Sequence, residues 1–296
     1  MTAVTGAEDP RPLGGPPADT SPPSPEATEP RPRLVALDVD GTLLTSDHRL
    51  TPATVEAIAR VRRQGVAVVL VTSRPPIAVH PILSALGMHG PGAAFVGSQG
   101  ALTGWYSRDG QLHVLHQHPM ALASAQAAIA VAAAAGLAVN WYTGTRWLVR
   151  QVDERVAREA AVVGCRPEVV ALEEQASGPD KLLLIATADH RAALDDAARA
   201  MPTDLRAQTS NPTYLEVTRA DVDKAAALAA HCAALGIAAT SVVAMGDGRN
   251  DLGMLAYAGT AVAPSNAHPE VRAAAGLLTA SNDDDGVARA LRLLVP

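Results

Sequence analysis

Short apolar runs alternate with longer alanine-rich or amphipathic segments through most of the chain. The uninterrupted runs predict strands buried on both faces, because such strands need no polar alternation. These runs are 33–38, 65–72 and 241–247. The segments of helical character are 51–64, which a Thr-Pro pair opens, 223–236 and 251–259. The alternation predicts an α/β fold built on a doubly wound parallel sheet.

The same pattern divides the chain into three parts. Residues 1–32 carry 9 of the 22 prolines and almost no large apolar side chain, which predicts a disordered tail. Residues 83–218 hold strand-like runs with alanine-rich helices between them, which is an α+β pattern.

Polar residues stand where three of the predicted strands end. Asp38, Thr72 and Asp247 each follow an apolar run. An open α/β sheet binds its ligands beyond the carboxyl ends of its strands. These three positions therefore predict a functional site at one edge of the sheet.

The first strand runs into the sequence DVDGT at 38–42. Extended backbone points the carboxylates of Asp38 and Asp40 to one face, where they repel unless a cation or a proton lies between them. Magnesium prefers such hard oxygen ligands. An ordinary acid cluster at a strand end is the alternative. A calcium loop is excluded because its twelfth position would be Arg49 instead of glutamate.

A glycine-punctuated turn carries three further polar residues between the last buried strand and the helix after it. Asp247, Asn250 and Asp251 offer oxygen ligands for a metal, and the helix amides offer an anion site. Simple N-capping by Asp247 or Asn250 is the alternative.

Two other segments could hold the phosphate of an anionic substrate. Thr72 and Ser73 present hydroxyls and amides at the end of the second strand, although Thr72 could equally satisfy its own turn. Lys224 opens a predicted helix and is either a phosphate ligand or an ordinary solvated surface charge.

Composition excludes several classes of protein. With 296 residues, 48% of them hydrophobic and 18% charged, the chain is globular, and its net charge of −6 does not favour nucleic acid. Two cysteines without a motif do not make a disulfide framework, and no apolar run predicts a transmembrane span. An anionic substrate would therefore need a local cation.

Four motifs, taken together and in order, resemble those of the haloacid dehalogenase superfamily. They are LDVDGTLL at 37–44, VTSR at 71–74, the pair Asp223–Lys224, and GDGRNDLGML at 246–255. The most similar subgroup is the Cof-type phosphatases with a type IIB cap. The resemblance covers about residue 33 to the end of the chain. It implies a core made of 33–82 and 219–296 and an α+β cap over 83–218, inserted between the second and third motifs, that closes over the mouth of the core.

The resemblance implies a role for each matching residue. Asp38 corresponds to the nucleophile that forms an aspartyl-phosphate, and Asp40 to the general acid and base, which requires a raised pKa. Mg²⁺ would be bound by Asp38, the main-chain carbonyl of Asp40, and Asp247. The residues implied in phosphate binding are Val39, Thr72, Ser73, Lys224 and Asn250. The supporting residues are Gly41, Thr42, Gly248 and Asp251, and the substrate residues facing the cap are Arg74, Gln99 and Asn211.

Three positions depart from the pattern of the family. Ser73 and Ala225 stand where the family usually or often has glycine, and Gln99 stands where it commonly has asparagine. The backbone amide of residue 73 survives the change, so the phosphate interpretation is kept there.

The resemblance as a whole implies a cytoplasmic, magnesium-dependent phosphatase that acts on a small phosphorylated metabolite such as a sugar phosphate. A monomer or homodimer that needs neither nucleic acid nor membrane is expected. Two alternatives stay open. A phosphosugar mutase would return the phosphoryl group to an alcohol. A phosphometabolite-binding module would have a decayed site, and the full set of acids with Lys224 argues against it.

Overall fold

The computed structural model describes residues 31–296. The predicted tail at 1–32 lies, except for its last two residues, outside the described residues, so its disorder stays a prediction. None of the helices between residues 31 and 296 is long and apolar enough to cross a membrane.

The elements of the described part are these. The strands are β1 (Leu34–Leu37), β2 (Ala67–Val71), β3 (Phe95–Gly97), β4 (Leu102–Tyr106), β5 (Leu112–Gln117), β6 (Ala138–Thr143), β7 (Arg146–Val149), β8 (Glu168–Val169), β9 (Lys181–Ile185), β10 (Leu205–Asn211), β11 (Tyr214–Arg219), β12 (Val242–Met245), β13 (Thr260–Pro264) and β14 (Leu277–Thr279). The helices are α1 (Pro52–Arg63), α2 (Pro76–Ala85), α3 (Leu122–Ala134), α4 (Glu154–Val163), α5 (Ala192–Arg199), α6 (Lys224–Ala234), α7 (Leu252–Tyr257), α8 (Pro269–Ala274) and α9 (Gly286–Leu294).

The first sheet has eight strands in the order β14-β13-β12-β1-β2-β3-β4-β5. The strands from β14 to β3 run parallel, as the apolar runs predict, and β4 and β5 add an antiparallel edge. The central strand β1 is buried because its residues alternate between two cores. Val35 and Leu37 pack with α1 and α9 on one face, while Leu34 and Ala36 pack with α6 and α7 on the other.

The second sheet has six strands in the order β10-β11-β9-β6-β7-β8. Its strands also alternate between two faces: Leu182 and Leu184 of β9 pack with α3 and α5, whereas Leu183 and Ile185 pack with α4. Ala78 of α2 belongs to the cluster on the α4 side. This face of the second sheet therefore lies against α2, the helix that connects β2 and β3 of the first sheet.

The strand order corrects one part of the sequence analysis. Residues 83–218 were expected to form the cap, but β3, β4 and β5, which end at Gln117, belong to the eight-stranded sheet. The second sheet begins only at β6 and ends with β11, one residue beyond 218. The reason is that alternation along a hairpin shows which residues share a face, but not which sheet the hairpin joins.

Candidate active site

The polar residues at the ends of three adjacent strands converge at one edge of the first sheet. Asp38 follows β1, Thr72 follows β2, and Asp247 comes shortly after β12. These three strands are neighbours in the sheet, in the order β12-β1-β2. Because these strands run parallel, their carboxyl ends meet at the same edge. Carboxylate oxygens of Asp38, Asp247 and Asp251 all lie within 4.8 Å of one another.

Lys224 is buried among these carboxylates. It is the first residue of α6, after an N-cap at Asp223, and only 2% of it is exposed. Its Nζ donates to Oδ1 of Asp38 at 2.5 Å and to Oδ1 of Asp251 at 2.7 Å. The alternative of a solvated surface charge is therefore wrong for Lys224.

The cluster contains three carboxylates and one lysine, so it carries more negative than positive charge when all four groups are ionised. This excess of negative charge affects the pKa values of the acids. Burial, and then the charge of Asp251, raises the pKa of Asp38 well above its ordinary value. The same two causes, in the same order, raise the pKa of Asp247 to about 6. Hard carboxylate oxygens this close, with surplus negative charge, are a donor set that suits Mg²⁺. The residues that could hold the ion are Asp38, Asp247 and Asp251.

The turn residues around Asp247 are arranged to place its carboxylate. Thr42 Oγ1 donates to Asp247 Oδ1 at 3.1 Å. Asp251 Oδ2 accepts from the backbone amides of Asp247 at 3.0 Å and Gly248 at 2.9 Å. Gly41 has a positive φ of +79°, and a Cβ built there would collide with the Asp247 carboxylate. Thr42 and Asp251 thus hydrogen-bond to Asp247, and Gly248 to Asp251, while their supporting roles stay predictions.

Asp40 is held apart from the other acids. Arg74 clamps its carboxylate, with Nε 2.8 Å from Oδ2 and Nη2 2.6 Å from Oδ1. Burial acts to raise the pKa of Asp40, but the hydrogen bonds and charge of Arg74 outweigh it and lower the pKa. In this arrangement Asp40 does not have the raised pKa that an acid catalyst requires. Its carboxylate is not among the clustered metal ligands, and the role of its main-chain carbonyl stays a prediction.

Arg74 and His48 complete the surroundings of Asp40. The sequence analysis assigned Arg74 to a cap-facing substrate position, whereas its guanidinium is engaged with Asp40. His48 Nδ1 lies 3.4 Å from Asp40 Oδ1 and 3.4 Å from Arg74 Nη2. Sequence reasoning missed His48, because a histidine in a polar loop carries no signal of its own.

The predicted phosphate-binding residues surround the carboxylates. Thr72 is buried, and its hydroxyl accepts from the Arg74 amide at 3.1 Å, so it does satisfy its own turn. Asn250 Nδ2 donates to Gln99 Oε1 at 3.3 Å. The Val39 side chain packs in the hydrophobic core, which leaves only its main chain for a ligand.

A buried polar network links the two sheets beside the site. Gln99 Nε2 donates to Glu216 Oε2 at 3.1 Å, and Lys181 Nζ donates to the same oxygen at 3.0 Å. Lys181 also donates to the Ser73 carbonyl at 2.8 Å. Sequence reasoning missed Lys181 and Glu216. Gln99 therefore contacts the second sheet even though it departs from the family pattern.

Two cavities adjoin at this edge of the sheet. The reaction cavity, of about 460 Å³, contains the carboxylates and borders the strand β10. Among the residues that line it are Asp38, Asp40, Ser73, Gln99, Asp247, Gly248 and Asn250. The side cavity, of about 280 Å³, shares Asp40, Ser73 and Ser210 with the reaction cavity. Asn211, which the resemblance implies as a substrate residue, lines the side cavity, and its Oδ1 accepts from the Thr213 amide at 2.9 Å and so forms a local turn.

Comparison with known proteins gives consistent results. The family model of haloacid dehalogenase-like hydrolases matches residues 35–291. The pyridoxal phosphate phosphatase YbhA of Escherichia coli is 28% identical over 268 residues, covering 87% of this chain and 96% of its own. The HMP-PP phosphatase of Shigella flexneri is 26% identical over 248 residues, covering 81% and 87%. A haloacid dehalogenase-like hydrolase structure from Bacteroides thetaiotaomicron has a TM-score of 0.80 at 25% identity, covering 89% and 100%.

Proposed function

Since this chain belongs to the haloacid dehalogenase-like hydrolase family, we propose that it is a magnesium-dependent phosphatase that hydrolyses monoesters of small metabolites through an aspartyl-phosphate. The family contains named phosphatases, and the Cof type is the one that the motifs resemble. The observation that carries the proposal is the contact of Lys224 with Asp38 inside a cluster of three carboxylates. This arrangement pairs a nucleophile with a cation that can bind the phosphoryl group.

Asp38 is the proposed nucleophile. One of its carboxylate oxygens forms a bond to phosphorus while the bond from phosphorus to the alcohol oxygen breaks. A water molecule then attacks phosphorus, releases inorganic phosphate and restores the Asp38 carboxylate. Mg²⁺ held by Asp38 and Asp247, with Asp251 beside them, would neutralise the approach of two anions.

The phosphoryl oxygens need hydrogen-bond donors beside the nucleophile. Lys224 is the strongest, since its Nζ already lies at the Asp38 carboxylate. Ser73 and Asn250 line the reaction cavity, and Thr72 ends the neighbouring strand. These donors act together, because no single group supplies the large acceleration that phosphate monoester hydrolysis demands.

Asp40 is the proposed acid for the leaving alcohol and the base for water. Its clamp by Arg74 favours the ionised form, which suits the base and opposes the acid. We propose that Asp40 alternates between Arg74 and the reacting oxygen, so that the proton is taken up only when the clamp loosens.

The substrate is a small phosphorylated metabolite. The relatives named above act on pyridoxal phosphate and on HMP-PP, so their names do not agree on one compound. A cytoplasmic location and a monomeric or homodimeric state stay predictions from the resemblance.

The test is release of inorganic phosphate across a panel of metabolite esters, with magnesium and with excess chelator. We expect phosphate release that requires magnesium. Transfer of the phosphoryl group to a second alcohol without free phosphate would indicate a mutase. Binding without turnover by the wild-type chain would indicate the phosphometabolite-binding module. Full activity in excess chelator would show that catalysis does not depend on magnesium.

A further inference from the structure

The side cavity opens from the point where the leaving alcohol departs. Asp40, which protonates that alcohol in the proposed function, lines both the reaction cavity and the side cavity. An alcohol oxygen released beside Asp40 therefore has its carbon skeleton directed into the side cavity, along β10 within the reaction cavity, or toward solvent. The volume of about 280 Å³ is at the small end of ligand pockets, so it suits a single ring better than a nucleotide.

The charges that line the side cavity pair off with one exception. Arg74 is bound to Asp40, and Lys181 is bound to Glu216. Glu159 of α4 also lines the cavity and is only 6% exposed. Within the part of the chain that the structure describes, Glu159 has no ion-pair partner. The side cavity thus holds one carboxylate without a direct ion pair, with the charge of Arg74 farther away in the same cavity.

Glu159 is positioned but not saturated. Its Oε2 accepts from the Tyr214 hydroxyl at 2.6 Å, and its Oε1 accepts from the Tyr142 hydroxyl at the long distance of 3.5 Å. A carboxylate has about four acceptor sites, so two remain for a ligand. A buried carboxylate with only neutral donors gains most from a cationic partner or an N–H donor.

The wall of the side cavity has an apolar part and a polar part. Ala78, Val163, Leu183 and the Tyr214 ring present apolar surface, and His48, Ser73, Ser210 and Asn211 line the cavity as well. Lys181 already donates to Glu216 and to a main-chain carbonyl. A flat ring buries apolar surface against the apolar part, which a polyol with a hydroxyl group on each carbon does not.

We propose that the side cavity holds the leaving alcohol, and that Glu159 selects alcohols built on a flat, mostly apolar ring that carries a cationic or N–H-donating nitrogen. This rests on the proposed phosphatase function and narrows its substrates away from sugar phosphates. Glu159 acts here on the alcohol and not on the phosphoryl group. It is therefore a specificity residue.

The test compares matched esters. The 3- and 4-(aminomethyl)benzyl phosphates carry a cationic nitrogen, the corresponding methylbenzyl phosphates are neutral and of similar shape, and glucose 6-phosphate represents a polyol. For the wild-type chain we expect kcat/KM for the better aminomethyl ester to exceed that of its methyl counterpart by about tenfold or more, as a hydrogen bond between charged groups supplies. The kcat/KM for this aminomethyl ester should also exceed that for glucose 6-phosphate.

Two variants separate Glu159 from general effects. Glu159→Gln keeps the shape and the tyrosine contacts, and it should bring the ratio of the two esters to near one, mainly by lowering kcat/KM for the aminomethyl ester. Glu154→Gln is the matched control, because it makes the same change at a highly exposed position of the same helix. It should leave the ratio at its wild-type value.

The results distinguish a failure of selection by Glu159 from a failure of the proposed phosphatase function. Equal rates for the paired esters in the wild-type chain, a preference for the polyol, or a ratio that survives in Glu159→Gln would overturn the selection by Glu159. If the wild-type chain hydrolyses none of these esters and none of the metabolite panel, the phosphatase function itself fails.

Discussion

At the scale of single residues, the site holds carboxylates close enough together to repel one another when they are ionised. Asp38 is buried with Asp247 and Asp251 close by, and among residues 31–296 Lys224 is the cation that bonds to Asp38 and Asp251. Burial and the charge of Asp251 raise the pKa values of Asp38 and Asp247, because both disfavour the ionised forms. Such repulsion is expected where charges are placed for chemistry and not for stability.

Asp38→Asn tests this arrangement. The amide cannot act as the nucleophile, so activity should fall by about 10³-fold or more. The variant also removes one of the repelling charges while Lys224 keeps its contact with Asp251. The melting temperature in chelator should therefore be unchanged or higher. Phosphate release and thermal unfolding measure the two effects.

Asp47→Asn provides the control, because Asp47 is an exposed acid of the same loop. It should leave both activity and melting temperature near the wild-type values. A folded Asp38→Asn enzyme that keeps more than a few per cent of activity would show that Asp38 is not the nucleophile.

The clamp on Asp40 makes a prediction about pH. Arg74 lowers the pKa of Asp40 against the effect of burial, so Arg74→Met should let that pKa rise. A higher pKa keeps Asp40 protonated to higher pH. For esters of poor leaving alcohols, the alkaline limb of the kcat/KM profile should move upward in pH relative to wild type.

The choice of ester supplies the control for Arg74→Met. The p-nitrophenolate leaving group needs no proton, so the alkaline limb for p-nitrophenyl phosphate should not move. An equal shift for both kinds of ester, or a shift to lower pH, would mean that the alkaline limb does not reflect the ionisation of Asp40. Arg49→Met, at an exposed arginine, should change neither profile.

At the scale of elements, the apolar pattern was sufficient to predict how the core sheet carries the site. β1, β2 and β12 are uninterrupted apolar runs, and in a parallel sheet the residues after them must meet at one edge. The burial of Lys224 could not be predicted from pattern, because a lysine at a helix N-terminus has the same local sequence whether it faces water or an acid. The resemblance to a family implied a role for Lys224 in phosphate binding, but not its contact with Asp38.

Long-range pairing accounts for what the sequence did not predict. Lys181 and Glu216 each stand in a mostly apolar strand, 35 residues apart, and nothing local indicates that they pair. The placement of β3, β4 and β5 in the first sheet has the same cause, since strand pairing depends on partners distant in sequence. The clamp of Asp40 by Arg74 joins two motifs through the fold and was missed for that reason.

The turn after β1 gives a prediction that separates backbone strain from site geometry. Gly41→Ala places a methyl group against the Asp247 carboxylate and strains a backbone with φ of +79°. Gly65→Ala strains a backbone with φ of +80°, but nothing lies within 4 Å of the added methyl. Both variants should lose about 1 kcal/mol or more of stability, because alanine is disfavoured at positive φ.

Only Gly41→Ala should also lose activity, by about tenfold or more, because displacement of a proposed metal ligand reduces the charge stabilisation it supplies. Its requirement for magnesium should rise at the same time. The measurements are urea unfolding and magnesium titration of phosphate release. If Gly65→Ala loses as much activity as Gly41→Ala, strain alone explains the effect, and the placement of Asp247 by this turn is not important.

At the scale of the whole molecule, a buried ion pair of the second sheet connects to the first sheet beside the site, through the hydrogen bonds of Lys181 with the Ser73 carbonyl and of Gln99 with Glu216. Lys181 and Glu216 are 3% and 5% exposed, and Lys181 reaches across to the Ser73 carbonyl. Breaking a buried pair leaves one charge without compensation, while replacing both charges by apolar groups is often neutral. The junction can therefore be examined separately for its stability and for its geometry.

The last prediction follows from that difference. Lys181→Met leaves Glu216 buried and unpaired, and it should destabilise the protein by about 3–5 kcal/mol. The double variant Lys181→Met/Glu216→Leu should recover most of this stability, which gives a large coupling free energy in a double-mutant cycle. Activity should not recover with it, because the Ser73 loop has lost the lysine that connects it to β9. We expect kcat/KM of the double variant to stay about tenfold below wild type.

The matched cycle uses Arg146 and Glu168, an ion pair of the same sheet whose side chains are 51% and 49% exposed. Its coupling should be about 0–1 kcal/mol, and its variants should remain active, because solvent screens exposed pairs. If the buried and the exposed cycles give the same coupling, the junction is not held by Lys181 and Glu216. If the buried double variant recovers full activity along with its stability, the ion pair serves the fold alone, and the position of the Ser73 loop must be determined by other contacts between the two sheets.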